Sequence, residues 1–173
     1  MTKQETPDFR PEQNWETLAD DASLPAEGQS FFVSVRRWVA QRETLIKHNA
    51  PVGILFEPGD EPELLQDMLD DLNHIPVIAL RFPAFTDGRN YSVAQILRMR
   101  YGYKGELWAM GDVLIDQVAF MARCGINRFD LPENVTDAEL QKALSRYSVT
   151  YQPTAASRDT AIKRRQTDLG AGI

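Results

Sequence analysis

The chain has 173 residues, 43% hydrophobic and 25% charged, enough apolar side chain for one sizeable core. Its net charge of −6 and pI of about 5.0 exclude a general nucleic-acid binder, which needs a basic face to displace counterions. One cysteine, Cys124, excludes an internal disulfide, a four-cysteine zinc site and an iron–sulfur cluster held by this chain alone.

Residues 1–13, MTKQETPDFRPEQ, lack the apolar stretch of a signal peptide and read as a flexible arm. No apolar run approaches the length that crosses a bilayer, so a cytoplasmic protein without membrane contact is expected. Asn14–Leu18 reads as a short edge strand around Trp15, and Ser23–Gln29 (SLPAEGQ) as a loop. Val35, Trp38, Val39, Leu45 and Ile46 then recur at helical spacing, with an end expected near His48–Pro51. Val52–Phe56 (VGILF) is a strand, EPGDEP a turn, and Leu64, Leu65, Met68, Leu69 and Leu72 mark a helix. Ile75–Leu80 is the next apolar run, followed by FPAFTDGRNYS and a helix carrying Val93, Ile96, Leu97 and Tyr101. Glu106–Met110 is a strand, then GD, then a helix with Val113, Leu114, Phe120 and Met121. Arg128–Leu131 is a further strand, Thr136–Tyr147 the last helix, and Ser148–Tyr151 one more short strand. The tail, residues 153–173, has no periodic apolar face and reads as disordered, which leaves 14–152 as a single domain.

Short apolar strands alternating with helices imply an α/β fold of repeated βα units around a mostly parallel sheet, with right-handed crossovers. Two architectures fit: an open doubly wound sheet, or part of a (βα) barrel. The strands are too few for the eight units of a complete barrel. Charge is uneven. Residues 52–75 hold seven acids and no Lys or Arg, whereas residues 81–128 hold seven Lys and Arg against four acids. The second segment suits a small anion or an acidic partner, unless the two segments neutralise one another within the fold.

Ligands of parallel sheets bind outside the carboxyl ends of the strands. That rule selects the loops Glu57–Asp60, Pro83–Tyr91, Gly111–Asp112 and Pro132–Asn134. Asp87, Arg89 and Asp112 would converge if their strands are neighbours, and an Arg with two carboxylates can bind a polar ligand. Local structure explains much of the same polarity. Asp87-Gly88 is a turn pair in which Gly can take positive φ. Ser92 with Gln95 matches a capping box, and Asp112 stands where an N-cap belongs. Arg89 and Tyr91 are the least explained by capping; an internal Asp–Arg clamp is the preferred reading for Arg89.

Cys124 precedes Gly125, a C-cap glycine, and a thiol at a helix C-terminus is a packed group rather than a nucleophile. His48 and His74 sit near element ends without a second ligand at metal spacing, so no metal is expected. No dinucleotide, P-loop, nucleophile-elbow or zinc-protease motif occurs, and no cofactor is expected. Phe82, Phe85, Tyr91, Tyr101, Tyr103 and Trp108 read mostly as core, and an outward-facing Trp108 would mark a partner surface.

The block FPAFTDGRNYSVAQILRMRYGYKGELWAMGDVLIDQVAFMARCGINRF resembles the signature of an uncharacterised bacterial family, domain of unknown function 934. The resemblance runs from Trp15 to Gln152. It covers Asp87, Gly88, Arg89, Tyr91, Ser92, Leu97, Arg98, Gly105, Glu106, Leu107, Gly111, Asp112, Asp116, Gln117, Arg123, Cys124 and Gly125. Trp108 departs from the usual Arg, Asn90 from a common Gly, and Ile126 from a common aromatic. The resemblance implies a place beside the sulfite-reductase haemoprotein in assimilatory sulfite reduction, toward cysteine, under the label of probable oxidoreductase. Two functions follow as expectations. One is an accessory protein without its own redox centre, binding the haemoprotein subunit or its electron donor. The other is a small-molecule enzyme or anion-binding protein. The candidate ligand or partner residues are Asp87, Gly88, Arg89, Tyr91, Ser92, Gly111, Asp112, Gln117 and Arg123.

Overall fold

A computed structural model describes residues 9–11, 14–25, 28–72, 74–146 and 155. Among these residues there are six strands: β1 Glu16–Thr17, β2 Phe31–Ser34, β3 Val52–Phe56, β4 Val77–Phe82, β5 Glu106–Gly111 and β6 Arg128–Phe129. The helices are α1 Val35–Ile46, α2 Leu69–Leu72, α3 Arg89–Gln95, α4 Val118–Arg123 and α5 Asp137–Leu144. A 3-10 segment, Pro62–Met68, leads into α2, and α3 continues as a π-helical turn, Ile96–Arg100.

All five strand pairings are parallel, and the order in space is the order in sequence. A doubly wound sheet reverses its order at a switch point. This sheet never reverses, so its crossovers all step the same way and it curls into a half-barrel. Of the two expected architectures, the partial barrel is the one observed.

The curl is legible in side-chain contacts. Phe32 on β2 meets Trp108 on β5 edge to face, with 5.6 Å between ring centroids, although β3 and β4 lie between them. In a flat sheet those strands would stand roughly 14 Å apart. The intervening strands make room with small residues. A Cβ on Gly53 would stand 2.5 Å from the Phe32 ring, and Ala79 is the register partner of Trp108.

Alternation along each strand divides the core. Phe31, Val33, Ile54, Phe56, Ile78, Leu80, Leu107, Ala109 and Phe129 belong to the larger cluster, with Trp38, Leu65, Leu97, Met121 and Leu140 from the helical segments. Phe32, Leu55, Val77, Ala79 and Trp108 form a smaller cluster on the concave face, flanked by Trp15 and Met110. Burial on both faces is why β3 and β4 read as continuous apolar runs rather than alternating ones.

Phe9 and Arg10 form a short strap against the last strand. Phe129 N donates to Phe9 O at 2.8 Å, and Arg128 Nη1 donates to Arg10 O at 3.3 Å, against the last strand. Arg10 pairs with Asp137 at 3.3 Å and donates to the carbonyls of Leu131 and Val135. A few residues on, Trp15 stacks on Phe32 with 4.7 Å between centroids, beside the first strand.

Several local expectations need correction. β2 was not expected: its FFVS runs into α1 without a turn, because Ser34 ends the strand and caps the helix, its hydroxyl accepting from Arg37 N at 3.1 Å. Ser92 is not a cap. α3 starts at Arg89 behind Gly88, which places Ser92 inside the helix. Asp112 is not a cap either, since α4 starts at Val118 behind Gln117. Gly88 has φ −95°, so the Asp87-Gly88 turn does not use the left-handed region. Trp108 is 2% exposed and faces the concave cluster, its Nε1 donating to Glu106 Oε2 at 2.8 Å.

The acidic segment is answered mainly from α1: Asp60 lies 4.0 Å from Arg36, and Asp71 3.6 Å from Arg42. Between the acidic and basic segments, Glu57 pairs with Arg81 at 2.7 Å, and Arg100 donates to Gln66 at 3.2 Å. Most of the expected arm, the strand at Ser148–Tyr151 and the tail fall outside the described residues. No helix among the described residues is long and apolar enough to cross a membrane.

Candidate functional site

The loops after β4 and β5 are built as one lattice. Asp87 and Arg89 form a bidentate clamp, Nε donating to Oδ1 at 3.0 Å and Nη2 to Oδ2 at 2.6 Å. The Arg89 backbone N–H closes the turn onto the same Oδ1 at 3.2 Å. Asp112 does not join that pair. Its Oδ2 instead accepts the N–H of Phe85 at 2.9 Å, while Gln117 Nε2 donates to the Phe85 carbonyl at 2.8 Å. Phe85 is thus gripped at both backbone groups by side chains from the neighbouring loop.

Gly111 makes this approach possible. Its φ is +104°, and a Cβ there would stand 2.5 Å from Phe82 O. That closeness lets Asp112 N donate to Phe82 O at 2.7 Å, which fixes the loop end against β4. Asn90, 1% exposed, does the same for β3 and β4: its Nδ2 donates to Arg81 O at 2.8 Å and Phe56 O at 3.3 Å. Its Oδ1 is buried without a hydrogen-bond partner among the described residues. The loop after β3 abuts the clamp, since a Cβ on Gly59 would stand 3.4 Å from Arg89 Nη1.

Tyr91 is an aromatic spacer, packed on Phe82 and Phe120 at centroid distances of 5.2 and 4.9 Å. Burial raises its pKa, and the nearby Cys124 and Asp116 raise it further. The hydrogen bond from Arg89 holds the Asp87 carboxyl below its ordinary value of 3.8. Because the folded value is depressed, the pair stabilises the protein above the ordinary aspartate range. That contribution is lost as pH falls through the lower folded value. The Arg89 side chain is 62% exposed and the Asp87 side chain 18%, so solvent screens the pair from the Arg89 side and its effect on stability is small. In carbon-detected NMR, Asp87 is expected to titrate below its ordinary value of 3.8, and Arg89→Gln to raise it toward that value. An unchanged Asp87 titration in the variant would rule out the clamp as the cause.

A second part of the site stands at the opposite end of the strands. Arg98 donates to Tyr103 O and Gly105 O at 2.7 Å, to Gly125 O at 2.9 Å and to Asn127 Oδ1 at 3.4 Å. Its guanidinium lies over the Tyr103 ring, 5.4 Å from the centroid, and burial lowers its pKa. Tyr103 OH in turn donates toward Ile75 O at 3.0 Å, and burial raises its pKa. A Cβ on Gly105 would collide with the Tyr103 hydroxyl and stand 2.8 Å from Pro76 O. A Cβ on Gly125 would collide with Arg98 Cγ. Arg98, Gly105 and Gly125 are therefore one rivet that joins the π-helical turn, the start of β5 and the end of α4.

Arg123 belongs to this end, on the last turn of α4, and so does not meet Asp87, Arg89 or Asp112. Its carbonyl accepts from Ala155 N at 3.1 Å, and its Nε is buried without a partner among the described residues. Cys124 is 1% exposed and accepts a bond from Gln95 Nε2 at 3.5 Å. Burial pushes its thiol pKa up, which opposes thiolate chemistry. His48 accepts the Ala50 N–H at 3.1 Å, a capping role, and His74 is exposed. No group of three or more His, Cys, Asp or Glu is arranged to hold a metal ion among the described residues.

The residues flanking the loop Pro132–Asn134, Leu131 and Val135, accept bonds from Arg10. Beside the loop a cavity of about 330 Å³ opens under the strap, lined by Arg10, Trp15, Trp108, Met110, Asp130 and Glu133 among others.

The model of a family described as bacterial proteins of unknown function, DUF934, matches residues 53–162. That span takes in β3 to β6, the loop lattice and the Arg98 rivet. No curated protein matches the chain. With the matched span covering most of the sheet and both polar clusters, the chain belongs to this bacterial family of unknown function.

Proposed function

We propose that the chain is an accessory protein of assimilatory sulfite reduction, without a redox centre of its own, that binds the reductase's haemoprotein subunit or its electron donor. One observation carries the choice of binding over chemistry: the polar side chains at the strand ends bond one another and the loop backbone. Asp87 holds Arg89, and Asp112 and Gln117 hold Phe85. These groups build a rigid surface rather than a set of free acids, bases or nucleophiles. The process itself rests on the family resemblance of the sequence.

The test has a biochemical and a genetic arm. The purified full chain is expected to co-elute with the haemoprotein subunit or its electron donor. Deletion of the gene is expected to slow growth on sulfate or sulfite and to be rescued by sulfide or cysteine. Rescue by sulfite would move the role upstream of sulfite reduction. Growth on sulfate without delay, together with no co-elution, would end the proposal. The second reading, a small-molecule site, is favoured by the 330 Å³ cavity at the ends of β5 and β6. It takes over if co-elution fails while sulfite, a phosphosulfate nucleotide or a tetrapyrrole raises the melting temperature.

A further inference from the structure

Three large apolar side chains stand in solvent beyond β4 and β5: Phe85 is 56% exposed, Phe120 49% and Leu114 36%. All three hang on Gln117. Its Nε2 donates to Phe85 O at 2.8 Å, its N–H donates to Leu114 O at 3.0 Å, and its carbonyl accepts from Phe120 N at 2.9 Å. Asp112 holds the N–H of Phe85, and Tyr91 props the Phe120 ring edge to face. An exposed aromatic on a loose loop loses freedom when it binds. Here much of that loss is already incurred on folding, which is the condition for a tight anchor.

Outside the Asp87–Arg89 pair, whose charges cancel, the charges around the patch are the exposed carboxylates of Asp112 and Asp116. Residues 82–88 and 111–122 contain Asp87, Asp112 and Asp116 and no Lys or Arg. Asp112 and Asp116 are exposed, and the neighbouring Arg89 is clamped to Asp87. Aromatic anchors with a polar, charged rim are the anatomy of a protein interface.

We propose that Phe85, Leu114 and Phe120 form the docking surface for a second protein whose matching face is an apolar groove rimmed by Lys and Arg. This rests on the accessory-protein reading and names the surface it would use. Two copies of the chain do not satisfy it: patch against patch would bring the carboxylates of Asp112 and Asp116 together, where like charges repel.

The experiment places a photo-crosslinking phenylalanine analogue at Phe85 and, as a control, at Met99, which is 64% exposed on the π-helical turn. The full chain is irradiated in its native cells, adducts are identified by mass spectrometry, and the partner's affinity for the variants is measured in purified form. The expected result is a heterologous adduct from position 85 and none from position 99. Phe85→Ser is expected to weaken binding at least about tenfold with an unchanged melting temperature, and Phe120→Ser to weaken it as much with only the small melting-temperature loss of its ring contact with Tyr91. Added salt is expected to weaken it further. If the adduct is the haemoprotein or the electron donor, the surface and the process both stand. If it is another protein with the same dependence on Phe85 and Phe120, the surface stands and the sulfite-reduction reading falls. Haemoprotein binding that ignores both substitutions overturns the surface and spares the process. An adduct between two copies, or none from position 85, also overturns the surface.

Discussion

Replacing Arg98 by alanine is expected to lower the free energy of unfolding by about 2–4 kcal/mol, the cost of removing a part-buried hub of charge-assisted hydrogen bonds and leaving its acceptors unpaired. The guanidinium donates to three backbone carbonyls and the Asn127 side chain, from segments separated by up to 29 residues. Alanine leaves those acceptors without their donor and opens the space that the side chain fills against Gly125 and Tyr103. Total stabilities of domains this size are about 5–15 kcal/mol, so a large share of the margin is at stake. Arg98→Lys should recover only part of the loss, because an ammonium is a point donor and cannot span the fork of carbonyls. Urea unfolding followed by tryptophan fluorescence reads both variants. A loss below about 1 kcal/mol for the alanine variant would show that water replaces the guanidinium freely.

The second large effect is expected at Gly111, where alanine should cost about 3 kcal/mol or more. Two causes combine. The residue sits at φ +104°, a conformation side chains rarely adopt, and the added methyl meets the Phe82 carbonyl of the adjacent strand. Backbone cannot swing aside as a side chain can. Gly111→Ala therefore pushes the β5 end away from β4 and breaks the bond from Asp112 N to Phe82 O. The loss should spread to Asp112 Oδ2 and its hold on Phe85. Amide exchange at Phe85 should speed up more than at Leu80 in the middle of β4. A variant with parental stability and exchange would mean that the loop absorbs the methyl by a shift of its own.

How much of this was legible in the sequence depended on where each residue's partner lies. VGILF announced β3 to the residue, because burial on both sheet faces leaves a continuous apolar run. The six-strand order was not legible, since alternation of strands and helices is the same in doubly wound and barrel-like sheets. FFVS gives no strand signal of its own, because no turn separates it from α1. Spacing alone gives Ser92 and Asp112 the look of caps. Ser92 instead lies inside α3, and the Asp112 carboxylate reaches across to another loop. The Asp87–Arg89 clamp was readable because both partners are charged and two residues apart. Arg98 and Asn90 were not, because their partners are mostly backbone carbonyls, which leave no mark in the side-chain pattern. By residue type and spacing Phe85 reads as a core aromatic and Phe120 as a helix position. Only the lattice around Gln117 shows that they are held outward.

The strap of Phe9 and Arg10 has a consequence for how the chain is made. Each βα unit pairs with the unit before it, so the sheet can grow strand by strand as the chain leaves the ribosome. The strap cannot follow that order. Arg10 is made 127 residues before Asp137 and 118 before Arg128, its partners in the finished protein. At roughly 5–20 residues per second, it waits on the order of ten seconds for them. Until then Trp108 stands without Arg10, with which it lines the concave cavity, while Trp15 already covers Phe32. The nascent half-barrel is thus most adhesive just before its first residues find its last strand.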